Sequence, residues 1–205
     1  LTRPRRAILL AALAALALFA GLGTAVARGS AIAFDPAVRD FVHGFASPPL
    51  TALARALSEV GSPNSLQMLG VGVLIAFLAL GWRRAALRFV LTIAGALILD
   101  ATLKALFHRA RPVPFFGTAP PASYGFPSGH ALFCTCFFGA LAALVAAHTQ
   151  NRAARGALWG TAAVLALAIG TSRIYLGVHY PSDVAAGYAV AAMWLAAVAL
   201  VMPQE

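Results

Sequence analysis

The chain has 205 residues, 61% of them hydrophobic and 10% charged, with a mean hydropathy of +0.84, a balance that excludes an ordinary soluble globular domain. Its net charge of +9 would suggest nucleic acid in a soluble protein, but Lys and Arg sit in short polar breaks between apolar runs. With no separate basic domain and no interleaved aromatic platform, nucleic-acid binding is set aside.

A membrane-spanning helix needs about 20 apolar residues, because each residue rises roughly 1.5 Å through a hydrocarbon layer of about 30 Å. The first such run, Ala7 to Ala27, follows Arg3, Arg5 and Arg6. A secretory signal shares this layout, and Ala25-Val26-Ala27 resembles a cleavage site, but the run exceeds the usual apolar length of about 7 to 15 residues in a signal, so an uncleaved first span is expected. From Arg28 to Ser62 the chain is more polar and carries Pro36, Pro48 and Pro49, which reads as a connecting region. Within it Leu50, Leu53, Ala54, Leu57 and Val60 recur at helical spacing, consistent with a short helix lying on the membrane surface or packed on the end of a bundle.

A second span fits Ser65 to Trp82, after the turn residues Gly61-Ser62-Pro63-Asn64. The third runs from about Ala85 to Phe107, the fourth from Gly129 to Ala147, the fifth from Gly156 to Ser172 and the sixth from Val184 to Met202. Cys134 and Cys136 lie two apart in the fourth, where helical geometry sends them to different faces and disfavours a mutual disulfide. The expected fold is therefore all-α, a polytopic membrane helical bundle with six transmembrane helices and no strands, forming one domain over residues 1–205.

Alternation places Arg3, Arg5, Arg6, Arg83, Arg84, Arg88, Arg152 and Arg155 on one side, and Arg28, Arg39, Arg55, Lys104, Arg109, Arg111 and Arg173 on the other. The last four lie at helix ends beside candidate chemistry. Setting them aside leaves eight against three, so both termini are expected in the cytoplasm and the polar ends of spans three to six on the extracytoplasmic face. A bacterial-type plasma membrane fits this layout.

Three polar clusters converge on that face, where ionisable groups are costly without a role. Lys104 and Arg111 flank a helix end, with Pro112 stopping the helix, and either bind an anion or snorkel to head groups. Pro127-Ser128-Gly129-His130 opens the fourth span, so its free N–H groups and helix dipole favour an anion; the plainer reading is a capped helix start. Between spans five and six, Arg173 precedes His179 and Asp183, four apart. A carboxylate at that spacing can hold one imidazole N–H and leave the other nitrogen's lone pair free, as a histidine nucleophile requires; the alternative is a helix-start Asp that happens to follow a His. Asp100 lies four residues before Lys104 and is expected to pair with it, whereas His108 and Arg109 read as water-side residues at a helix end, the alternative being contact with substrate head groups.

Joined, the clusters read Lys-x6-Arg-Pro at 104–112, Pro-Ser-Gly-His at 127–130 and Ser-Arg-x5-His-x3-Asp at 172–183. In order and spacing they resemble the three motifs of the type 2 phosphatidic acid phosphatase superfamily. The resemblance implies a lipid phosphatase that needs no metal or other cofactor. It implies phosphate binding by Lys104, Arg111, Arg173, Ser128 and the Gly129 N–H, attack by His179 oriented by Asp183, and proton transfer by His130. The bilayer and a lipid phosphate are the implied partners, with undecaprenyl pyrophosphate, phosphatidic acid and phosphatidylglycerol phosphate as candidate substrates. Phe115, Phe116 and Tyr124 are expected to shape access to the site. A lipid phosphotransferase with the same site, and a non-catalytic lipid-phosphate binding or transport protein, are the alternatives; the soluble vanadium haloperoxidases share a related constellation but not the apolar spans.

Overall fold

Pro48, Pro63 and Pro181 each open a helix, where a missing N–H costs nothing because the first turn has no intrahelical acceptors. Side-chain caps start two helices: Ser62 Oγ accepts from Ser65 N at 3.2 Å, and Asn151 Oδ1 accepts from the N–H groups of Ala153 and Ala154 at 2.9 and 3.2 Å. The computed structural model describes residues 3–30, 32–117, 119 and 121–202. Among these residues there are eight helices and no strand: α1 Arg3–Ala27, α2 Phe34–His43, α3 Pro48–Val60, α4 Pro63–Ala79, α5 Arg83–Phe107, α6 Gly129–Ala146, α7 Arg152–Tyr175 and α8 Pro181–Val201.

The all-helical expectation holds, and the structure adds one short helix to the six spans and the short connecting helix expected. The polar stretch read as a connection contains α2 as well as α3. Of the two placements open for the short helix, α3 packs on the bundle end: Ala54 and Ser58 are buried, and Thr51 Oγ1 meets the Tyr175 hydroxyl of α7 at 2.7 Å. It then runs into α4 across a bend of 53°. Helices α1, α5, α6, α7 and α8 are each long and apolar enough to cross a bilayer, and the bent pair α3–α4 supplies the sixth crossing when counted as one broken span.

Helix α6 forms the centre. Two thirds of its apolar window is buried (67%), against 6% for α1 and 17% for α5, which leave most of their apolar surface facing outward. That distribution fits lipid as the outer solvent, because Leu10, Leu13, Ile75, Ile98 and Val164 are all exposed. Between helices, small residues allow close approach. The Trp194 indole of α8 covers Gly95 of α5 and donates from Nε1 to the Thr92 carbonyl at 2.9 Å. Gly187 of α8 lies so close to the start of α6 that a Cβ there would come within 2.6 Å of the Ser128 carbonyl. This contact joins the two helices that open at the polar end of the bundle.

Candidate active site

The C-terminal end of α5, the N-terminal end of α6, the C-terminal end of α7 and the N-terminal end of α8 meet at one end of the bundle, with α2 and α3 beside them. His179 lies in the short α7–α8 connection and Asp183 in the first turn of α8; they are 1% and 0% exposed. The His179 Nδ1 faces Asp183 Oδ2 at 3.4 Å, and Asp183 Oδ2 also accepts from the Tyr180 N–H at 2.9 Å. On the other side of the ring, Arg111 Nη1 lies 2.7 Å from Nε2. A guanidinium can only donate, so Nε2 accepts and the ring proton sits on Nδ1, facing Asp183. Burial first, then the charges of Arg111, Arg173 and Lys104, hold the His179 pKa well below the ordinary 6.5, so the ring is neutral at physiological pH.

Arg111 is anchored apart from the histidine: its Nε donates to the Ser123 carbonyl at 2.7 Å and its Nη2 to the Ser123 hydroxyl at 3.0 Å. The Lys104 ammonium pairs with Asp100 Oδ2 at 2.8 Å, one turn back on α5, as the i, i+4 spacing predicts. Both side chains press against Gly129, where a Cβ would come within 2.8 Å of Asp100 Oδ1 and 3.0 Å of the Lys104 nitrogen. Ser128 is fully buried, and among the described residues its hydroxyl has no hydrogen-bond partner. Its backbone N–H is tied to the Asp183 carbonyl at 2.9 Å, which locks the start of α6 to the start of α8.

Ser58, on α3, joins the remaining two residues. Its hydroxyl accepts from Arg173 Nη1, and its carbonyl lies 3.2 Å from His130 Nε2. Because a carbonyl only accepts, Nε2 of His130 carries the proton and Nδ1 is left to exchange protons elsewhere. All eight residues expected from the sequence are thus gathered at this end of the bundle. Among the described residues no three His, Cys, Asp or Glu side chains are grouped to hold a metal ion.

Sequence reasoning missed Ser58, Asp35 and the role of Arg109. Arg109 is not a water-side residue: its Nη1 donates to Asp183 Oδ1 at 2.5 Å and to Ser182 Oγ at 2.7 Å, and its Nη2 to Asp35 Oδ2 at 2.8 Å. One signal could have flagged Asp35. The chain has only six acids against fifteen cations, so each acid in an apolar setting is a candidate counter-charge. Of the loop aromatics, Phe115 stacks on His43 at 3.7 Å between centroids, under Arg39, and Phe116 stacks on Tyr175, while Tyr124 is exposed and meets His108 edge-on. A cavity of about 690 Å³ at the opposite end, among Trp82, Arg83, Arg88 and His148, contains none of the site residues.

A neutral imidazole beside a carboxylate, the cations Lys104, Arg111 and Arg173, and the N-terminus of a buried helix thus lie together at one end of a multi-pass membrane bundle, a set of groups with the chemistry to take an anion. The chain belongs to the PAP2 superfamily, whose sequence profile matches residues 85–205. It is 32% identical over 94 residues to the phosphatidylglycerophosphatase B of Bacillus subtilis, a match covering 45% of this chain and 46% of that protein. It is 33% identical over 151 residues to the decaprenylphosphoryl-5-phosphoribose phosphatase of Mycobacterium tuberculosis, covering 71% of this chain and 76% of the relative. The chain thus spans about half the length of the first of these relatives and three quarters of the second. Its fold is similar to the crystal structure of the transmembrane PAP2-type phosphatidylglycerolphosphate phosphatase from Bacillus subtilis, with a TM-score of 0.84 over 93% of this chain and 94% of that one at 23% identity.

Proposed function

We propose that the chain is a lipid phosphatase that cleaves a phosphate ester or anhydride through a phosphohistidine on His179. The observation that carries this reading is the alignment Arg111–His179–Asp183, in which a buried neutral ring has its Nδ1 proton facing a carboxylate and its Nε2 lone pair on the side of the cations. In the first step Nε2 attacks phosphorus in line, the bond to the leaving oxygen breaks, and His130, which enters this step as an imidazolium with its second proton on Nδ1, gives that proton to the oxygen. In the second step His130 accepts a proton from water, the water oxygen attacks phosphorus, and the P–N bond breaks to return the lone pair to His179. Lys104, Arg111, Arg173, the Ser128 hydroxyl and the Gly129 N–H stabilise the charge on the non-bridging oxygens in both steps.

An amphiphilic substrate is supported by the surroundings of the site. An apolar groove of about 430 Å³, lined by Val42, Leu53, Leu57, Leu167 and Ser172, borders residues adjacent in sequence to Ser58 and Arg173 and suits a lipid chain. Among phosphatidic acid, phosphatidylglycerol phosphate and undecaprenyl pyrophosphate, the polyprenyl substrate is favoured, in keeping with the decaprenyl-linked name of the mycobacterial relative. The eight-to-three distribution of basic residues supports a plasma-membrane protein with cytoplasmic termini and its site on the outer face. The whole chain would then act as a single membrane-embedded domain.

The test is phosphate release by the detergent-purified protein from the three lipids, with EDTA present, alongside His179→Ala. Release that disappears in the variant is the expected result. Absence of release from all three lipids, or release that survives in His179→Ala, would overturn the reading.

A further inference from the structure

Asp35 belongs to α2, outside the stretch matched to the family, and none of the chemistry above uses it. Its carboxylate is nevertheless 2% exposed and receives three hydrogen bonds: from the Ser182 N–H at 2.8 Å, from the Ser182 hydroxyl at 2.6 Å and from Arg109 Nη2 at 2.8 Å. A buried carboxylate this far from water requires such satisfaction, and every partner here leads to the same place.

Ser182 is the second residue of α8, so Asp35 provides from another helix the acceptor that an unpaired N–H of a first turn needs. It thereby fixes the turn that carries Asp183. The Arg109 guanidinium is held at both ends: Nη2 on Asp35, Nη1 on Asp183 Oδ1, with the Tyr180 ring 4.4 Å beneath it. Asp183 consequently offers one oxygen to Arg109 and keeps the other for the Tyr180 N–H and for His179.

Consider the same arginine without Asp35. Its second N–H would be free to turn toward Asp183, because a planar guanidinium favours two parallel bonds to one carboxylate. Both carboxylate oxygens would then be drawn to Arg109. The His179 contact is the longest of the set at 3.4 Å, and it would be the first to part. The uncompensated cation would also lower the electron density that Asp183 lends to the ring.

We infer that Asp35 is a remote positioning residue for the nucleophile: acting through Arg109 and Ser182, it holds Asp183 in the orientation that serves His179. The inference rests on the proposed role of His179 as the attacking group. Its observable consequence, a held Nδ1 proton on that ring, does not depend on which lipid is cleaved or whether any is.

Two readouts test it on the full-length protein in detergent. In proton NMR with ¹⁵N-labelled histidine, the His179 Hδ1 signal, assigned by its disappearance in His179→Gln, is expected in the wild type and to shift upfield and exchange faster in Asp35→Asn. An Hδ1 signal unchanged in Asp35→Asn overturns the inference, even if the wild type hydrolyses no lipid. In phosphate release, kcat is expected to fall about 10- to 100-fold in Asp35→Asn, as for other small displacements of reacting groups. KM should stay within about twofold, because Asp35 does not touch the phosphate. In the Arg109→Gln background the same change should cost less than it does in the wild type, since the Arg109 link is already cut and only the Ser182 link remains to be lost. A cost in that background equal to the cost in wild type would make Asp35 a residue of general stability and would also overturn the inference.

Discussion

Gly187→Ala sets two effects of opposite sign against each other. In a helix interior alanine is favoured over glycine by about 1 kcal/mol, so propensity alone predicts a more stable protein. Packing predicts the reverse. The added Cβ would lie 2.6 Å from the Ser128 carbonyl oxygen, 2.9 Å from the Ala131 Cβ and 3.2 Å from the Leu132 nitrogen. Ordinary contact begins near 3.4 Å, so α6 and α8 must separate by several tenths of an ångström, and neither the carbonyl nor the amide belongs to a flexible side chain that could swing away. Overpacking of this kind costs about 1–3 kcal/mol, which exceeds the propensity gain. The displaced segment carries Ser128, Gly129 and His130, and Ser128 is tied to Asp183 through its N–H at 2.9 Å, so the two halves of the site should shift apart. A misplacement approaching 1 Å can cost about 100-fold in rate, so a loss of about 10-fold or more is expected for a shift somewhat smaller than that. Thermal unfolding in detergent and phosphate release, measured beside Gly160→Ala, provide the assay. Gly160 has nothing within 4 Å of its would-be Cβ, so its substitution should leave activity unchanged. A Gly187→Ala protein as stable and as active as Gly160→Ala would refute the argument.

Two further outcomes follow from the electrostatics. The attacking ring must be neutral, and burial with three cations holds the His179 pKa well below 6.5, so kcat/KM should persist as pH falls through 6.5 and be lost only below it; an acid limb centred at 6.5 would count against His179 as the titrating nucleophile. Asp100→Asn should leave Lys104 without its partner at 2.8 Å and reduce both the yield of folded protein and its rate of phosphate release; expression and activity that both match wild type would show that the pair contributes nothing.

The parts of this molecule that were legible in the sequence share a physical property: their signal is local. An apolar run bounded by charges marks a span regardless of its neighbours, which is why the third to sixth spans fall within a few residues of α5 to α8. The Asp100–Lys104 pair was legible for the same reason, since both partners sit one turn apart on one helix. Helix α2 was not, because ten residues with a proline in the first turn and two acids give no apolar run, and the face it buries is defined by α7 and α8. Nor was the bend between α3 and α4, which lets a helix of 17 residues share a crossing with its predecessor. The Asp35–Arg109–Asp183 chain joins residues 74 positions apart at each link. No periodicity encodes such a contact; only the excess of cations over acids pointed to a need for it.

The hydrogen bond between Arg111 and His179 bears on how such a site can rest and still react. In the resting arrangement Nη1 of Arg111 occupies the lone pair that would attack phosphorus, at 2.7 Å. Only that one nitrogen must be given up, since Nε and Nη2 remain fastened to Ser123 at 2.7 and 3.0 Å and keep the guanidinium in place. On the proposed mechanism an arriving phosphate offers Nη1 an anionic oxygen, and a bond between two opposite charges is stronger than the bond from the same guanidinium to a neutral ring nitrogen that it replaces. Phosphate binding therefore exposes the lone pair by the same motion that places a cation on the oxygen where charge will develop. The site needs no large rearrangement, and the neutrality of the ring, enforced first by its burial and then by the cations around it, keeps the lone pair available at the moment Arg111 lets go.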